Sequence, residues 1–180
     1  MLPILRSDLL ILRPFAQDDL PKVLALVQDK DVAATTLNIP YPCTEVEIND
    51  WFQLQRRELV EGKGLRWAVR LKETDELIGA MKLATHPEYE SAELGYWIGK
   101  PFWGNGYASK AARLVVEYGF TTLELNRIEA HAMVENTGSA KILLRLGMQE
   151  EGYHPQLIKT WNEFKDVKTY GILREQWLNR

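Results

Sequence analysis

The sequence predicts a mixed α/β domain on a central, mostly antiparallel sheet. Two observations carry this. Leu65 to Leu71, Leu77 to Leu83 and Glu93 to Ile98 are three strand-like runs with no helix between them, which makes an antiparallel meander. The third run is followed by a glycine-rich turn, a helix over Ala108 to Phe120 and another strand-like run, Arg127 to Val134. That crossover makes the last pair parallel, so the sheet is mixed. A length of 180 residues fits one domain with a sizeable core.

The elements follow in order. Leu9 to Leu12, ended by Arg13-Pro14, reads as a strand, and Gln17-Asp18-Asp19 precedes a helix with Leu20, Val23, Leu24 and Val27 on its apolar face. Leu37 to Tyr41 reads as a loop. With Pro40, Tyr41 and Pro42 it is either a rigid connector around a buried aromatic or a wall of a substrate groove. Thr44 with Glu47 forms a capping box for a helix through about Leu59 that carries Trp51, Leu54 and Gln55. KETDE joins the next two strands as a polar turn, and His86-Pro87-Glu88 turns the chain into the third. In the Arg127 strand Ile128, Ala130, Ala132 and Val134 point one way and Arg127, Glu129, His131 and Met133 the other. Asn136-Thr137-Gly138-Ser139 opens a helix with Ala140, Leu143, Leu144 and Leu146, closed by Gly147. The tail gives two strands, about Met148 to Tyr153 and Val167 to Leu173, around a polar loop from Gln156 to Lys165 that contains Trp161.

Composition bounds the partners. A hydrophobic share of 46%, a charged share of 26% and a net charge of -3 are ordinary for a globular chain, and argue against nucleic acid or an anionic membrane as the main partner. Cys43 is the only cysteine, so no internal disulfide can form, which suits a reducing compartment. The opening MLPILRSD is too short and too soon charged for a secretory leader, and no run reaches membrane-spanning length. A soluble, cytoplasmic protein is expected. His86, His131 and His154 each lack a second His or Cys at metal spacing, so no metal is expected. His131 is expected to pack or pair.

The turn at Trp103 to Ala108 is the chemically suggestive stretch. Gly104 and Gly106 lack a Cβ, so main-chain N–H groups there can approach a ligand closely. The first N–H groups of the following helix have no partner inside it, and the helix dipole adds positive partial charge at the same point. An anion such as a pyrophosphate fits; a tight strand-to-helix connection is the plainer alternative. Tyr107 and Ala108 after Gly106 exclude a P-loop, and Ser109 stands where a dinucleotide loop has its third glycine.

Trp103, Gly104, Asn105, Gly106, Tyr107 and Ala108 resemble the acyl-CoA loop of the GCN5-related N-acetyltransferases (GNAT), Q/R-x-x-G-x-G/A, with Gly106 and Ala108 matching and Trp103 in the Gln/Arg position. LLILRPFAQDDL, AELGYWIGKPFWGNGYASKA, LNRIEAHAMVENTGSAKILLRLGMQEEGY and DVKTYGILREQW extend the resemblance over the chain, to the RimJ/RimL branch of ribosomal-protein N-terminal acetyltransferases. The resemblance implies the GNAT fold, with helices on both faces of the sheet and a central parallel pair, Glu93 with Arg127, that splays apart. It implies acetyl-CoA as co-substrate, with pantetheine against main-chain groups near Trp97, Ile98 and Gly99, pyrophosphate on Gly104 to Ala108, and Asn136 as a binding residue. It also implies pairing as a homodimer.

Acyl transfer to an amine needs a neutral amine, a stabilised oxyanion and a stabilised leaving thiol. Glu93 is the candidate base, acting through water, with a solvated or salt-bridged strand residue as the alternative. Many relatives place a Tyr acid at the position of Leu143, which cannot donate; the pattern here points to Ser139, whose alternative role is capping with Asn136. A main-chain N–H near Ile98 is the oxyanion candidate. Tyr41, Trp51 and Trp161 are candidate walls for the acceptor. The leading expectation is an N-acetyltransferase acting on a peptide N-terminus; a small amine as acceptor, or an acyl-CoA-binding module without turnover, are the alternatives.

Overall fold

Among the described residues, 2–36 and 39–180 of a computed structural model, eight strands form one sheet. In chain order the elements are β1 (Leu5–Arg6), β2 (Leu10–Pro14), α1 (Leu20–Val27), α2 (Lys30–Ala34), α3 (Glu45–Val60), β3 (Gly64–Leu71), β4 (Leu77–His86) and β5 (Ser91–Ile98). They continue with α4 (Tyr107–Thr121), β6 (Arg127–Met133), α5 (Thr137–Arg145), β7 (Gln149–Thr160), β8 (Glu163–Leu173) and α6 (Arg174–Leu178). The sheet order is β1-β2-β3-β4-β5-β6-β8-β7, antiparallel throughout except for β5 with β6. Part of the loop expected at Leu37 to Tyr41, namely Leu37 and Asn38, lies outside the described residues.

Strand alternation sorts the core into two layers. Trp67 and Val69 of β3, with Met81 and Leu83 of β4, pack with Val115, Val116 and Phe120 of α4 and Leu143 of α5. Ala68, one residue out of phase, joins Leu20, Val23 and Val27 of α1 and Ile48 and Phe52 of α3 in a smaller cluster on the other face. The helix ends follow their sequence signals. Glu47 Oε2 accepts from the Thr44 N–H at 2.7 Å, and Thr44 Oγ1 accepts from the Glu47 N–H at 3.3 Å. Past α5, Gly147 at φ +79° donates to the Leu144 carbonyl and Met148 to that of Leu143, a Schellman closure.

Two expectations need correction. The polar loop at Gln156 to Lys165 is mostly strand: β7 and β8 form a long hairpin turned at Trp161 and Asn162, with φ of +49° and +65°. Two successive positive φ values match the right-handed strand twist without any glycine. At the end of β6 it is Met133 that is buried and Val134 that is exposed, so the alternation stops at Ala132.

Candidate active site

The parallel pair is short. β5 and β6 pair only at Ser91–Glu93 with Arg127–Glu129, although β5 runs on to Ile98 and β6 to Met133. Beyond Glu93 the strands have no mutual register, which leaves a gap in mid-sheet. The Glu90 carbonyl accepts from Asn126 N–H at 2.7 Å on the β6 side, while Gly99 N–H donates to the Ile78 carbonyl at 2.8 Å on the β4 side. With an unbroken β4–β5 register, alternation then turns the main-chain groups of Tyr96 and Ile98 toward the gap and those of Trp97 and Gly99 toward β4. Trp97 and Gly99 therefore border the gap without offering it their N–H groups. Gly99 has a packing reason too, since a Cβ there would lie 2.7 Å from Leu26 of α1.

The glycine turn follows at the end of β5. Trp103 donates its indole N–H to the Ile98 carbonyl at 2.6 Å and so ties the turn to the strand. Asn105 donates to the carbonyls of Phe102 and Trp103 at 3.3 and 3.2 Å, folding the turn on itself. Gly104 and Gly106 sit at φ +81° and +75°, and a Cβ on either would meet no protein atom within 4 Å. Their requirement is conformational, and the space beside them is open. Gly106 is the N-cap of α4 and supplies no side chain, unlike Thr44 and Asn136 at the starts of α3 and α5. The N–H groups of Tyr107 and Ala108 thus open a 15-residue helix with no acidic residue in its first turn. That is a fitting cradle for a phosphate oxygen.

The candidate acid–base groups lie on opposite faces. Ala92, Leu94 and Ile98 belong to the α4 layer, so Glu93 projects to the α1 face. Glu93 Oε1 is 3.6 Å from His131 Nδ1 on β6, which makes the two a contact ion pair once the imidazole is protonated. The imidazole beside it holds the Glu93 carboxyl below the usual carboxylate range against the opposing effect of burial, and Lys82 and His86 pull the same way as the imidazole. Glu93 in turn pushes His131 up, with Glu129 assisting. Ser139, in the first turn of α5, shares a hydrogen bond of 2.8 Å with the Tyr96 hydroxyl. The capping role falls to Asn136, whose Oδ1 accepts from the Ser139 N–H at 3.0 Å. Leu143 is fully buried in the core.

Of the three candidate acceptor walls, two meet. Tyr41 and Trp161 meet in a tilted contact, ring centroids 5.5 Å apart and planes at 43°, and Lys30 of α2 lies 5.8 Å over the Trp161 ring. Trp51 instead packs edge-on against Phe15 at 5.0 Å, within the α1–α3 layer.

Residues 10–149 match the acetyltransferase (GNAT) domain family. The chain belongs to the GNAT acetyltransferases. It is similar to the uncharacterized N-acetyltransferase p20 of Bacillus licheniformis, at 35% identity over 96% of this chain and 97% of that protein. It is 32% identical to the putative ribosomal N-acetyltransferase YdaF of Bacillus subtilis, over 74% of this chain and 70% of YdaF. The structure of spermidine N-acetyltransferase from Vibrio cholerae, solved with CoA and spermine, superposes with a TM-score of 0.84 at 25% identity, over 96% of this chain and all of that one (100%).

The protein is a GNAT N-acetyltransferase, and the likeness to YdaF bears out the resemblance to the ribosomal branch. Among the described residues no group of three or more His, Cys, Asp or Glu could hold a metal ion, and no helix is long and apolar enough to cross a membrane. The gap has the Glu93 carboxylate on one face of the sheet and the Tyr96–Ser139 hydroxyl pair on the other. His131, expected to pack or pair, pairs with Glu93. Tyr96 was one aromatic among several in the β5 run, and its pairing with Ser139 has no local signature.

Proposed function

We propose that the protein transfers the acetyl group of acetyl-CoA to the α-amine of a peptide or protein N-terminus, with Glu93 as base through a water. The observation that carries this reading is the β5–β6 gap, with Glu93 beside it on one face and the uncapped N-terminus of α4 beyond the end of β5. The turn from Gly104 to Ala108 receives the pyrophosphate, the main chain of Tyr96 and Ile98 lines pantetheine, and the Ile98 N–H faces the carbonyl oxygen as it gains charge. Asn136 fixes the start of α5. Ser139 donates a hydrogen bond to the sulfur as the C–S bond breaks.

An α-ammonium of pKa about 7.7–8.0 gives up its proton to a water-linked carboxylate more readily than an alkylammonium of about 10.4, which favours an α-amine. The charges nearby point the same way. Lys30 covers Trp161, Asp31 is 2.5 Å from Lys100, and Glu135 is 3.2 Å from Lys165, so a polycation would compete for carboxylates that are already paired. Tyr41 and Trp161 form the wall against which the first acceptor residues pack.

Glu93→Gln tests the assignment. It is expected to lower acetyl transfer by about 10²-fold or more, most steeply at low pH where the amine is least neutral, with acetyl-CoA affinity unchanged. An unchanged rate across the pH range would remove Glu93 from the mechanism.

A further inference from the structure

Resting on the reading of Ser139 as donor to the sulfur, we infer that Tyr96 is a positioning residue: its hydroxyl donates to Ser139 Oγ and thereby frees the serine proton to face the leaving sulfur. The hydroxyls are 2.8 Å apart, between the half-buried end of β5 and the first turn of α5. Distance alone does not say which oxygen donates. Acidity does, because a phenol is the stronger acid and an alcohol oxygen the better acceptor. Desolvation pushes the Tyr96 hydroxyl up to about 12, so it stays protonated over the working range and remains a donor. The serine backbone is already fixed, since its N–H is bound to Asn136 Oδ1. With both constraints satisfied, the hydroxyl proton is the group left to be aimed.

The role is orientation and polarisation. A phenol near 12 would not give its proton outright to a thiolate, whose ordinary value is about 8.5. In the step itself the amine, already neutral because its ammonium proton has passed through water to Glu93 and on to solvent, bonds to the thioester carbon and gives its second N–H proton to Glu93 through the same water. The carbonyl π pair moves onto oxygen and returns as the C–S bond breaks, leaving the bonding pair on sulfur. Ser139 O–H, strengthened by the hydrogen bond that its own oxygen accepts, stabilises that charge, and CoA departs as a thiolate that solvent protonates. Leu143, at the position where a tyrosine would otherwise reach the sulfur, is apolar and buried, so the hydroxyl chain enters from β5 instead.

Tyr96→Phe keeps the ring, and Ser139→Ala keeps the backbone N–H that Asn136 caps, so both variants should fold. Each is expected to lower kcat on the order of tenfold with acetyl-CoA affinity and melting temperature unchanged, and Tyr96→Phe should cost nothing further in the Ser139→Ala background. A readout independent of turnover is the thiol titration of bound CoA, in which the thiol should titrate at lower pH in the unaltered protein than in either variant. If Ser139→Ala lowers kcat and Tyr96→Phe does not, or if the two losses multiply, the inference is overturned while the serine assignment stands. If Ser139→Ala has no effect, the serine assignment falls and this inference with it.

Discussion

Glu93 and His131 titrate against each other, and the consequence is a pH dependence of definite sign. As the proposed base, Glu93 would act as the carboxylate, and the imidazolium beside it keeps that form present to lower pH than an isolated carboxyl would allow. Replacing His131 by Gln removes that cation, so the Glu93 carboxyl returns upward and the acid limb of kcat/KM moves to higher pH. In the unaltered protein, raising the pH through the elevated His131 value discharges the imidazole and makes Glu93 a stronger base. A pH–rate profile of His131→Gln checks this; an acid limb that stays in place or moves down would show that the pair does not set the base. Its place one strand-length before the glycine turn, together with the family resemblance, made Glu93 legible in the sequence, but its partner sits on a strand reached only through the α4 crossover. Pairings of that kind depend on register, which no local pattern encodes.

At the scale of elements, the glycine turn is a case where sequence and structure agree for a physical reason. Gly104 and Gly106 both take positive φ, which few residues other than glycine adopt at low cost. Gly106→Val introduces strain of about 1–2 kcal/mol, so the melting temperature should fall by only about 4 °C, while acetyl-CoA affinity should fall by at least about tenfold if, as proposed, the phosphate sits beside this turn. Isothermal titration with acetyl-CoA alongside a thermal melt separates the two effects. Unchanged affinity would move the phosphate off this turn. Trp103, which replaces a polar residue of the family loop, has a use of its own as the clamp on the Ile98 carbonyl. The β7–β8 hairpin was the least legible element, because its turn is Trp161-Asn162 where a glycine would have announced it. The apolar residues Leu157 and Phe164 near its tip are also exposed, so no buried face marked the strands.

Across the molecule, three strand runs with no helix between them and the helix crossover that follows made the β3-β4-β5 meander and the parallel β5–β6 pair legible, whereas the place of β8 between β6 and β7 was not. The gap is the feature that pattern could not supply. It arises where two strands of adequate strand sequence simply cease to pair, and only the family resemblance anticipated it. In the proposed function that gap serves one reaction and one class of acceptor. Initial rates of thiol release from acetyl-CoA should therefore be compared for a peptide with a free α-amine, the same peptide N-terminally blocked but carrying a lysine, and a polyamine. Release with the free α-amine and little with the other two is the predicted result. Release driven by the polyamine or the lysine side chain would contradict the assignment of the acceptor, and release from none of them would contradict peptide N-terminal transfer itself.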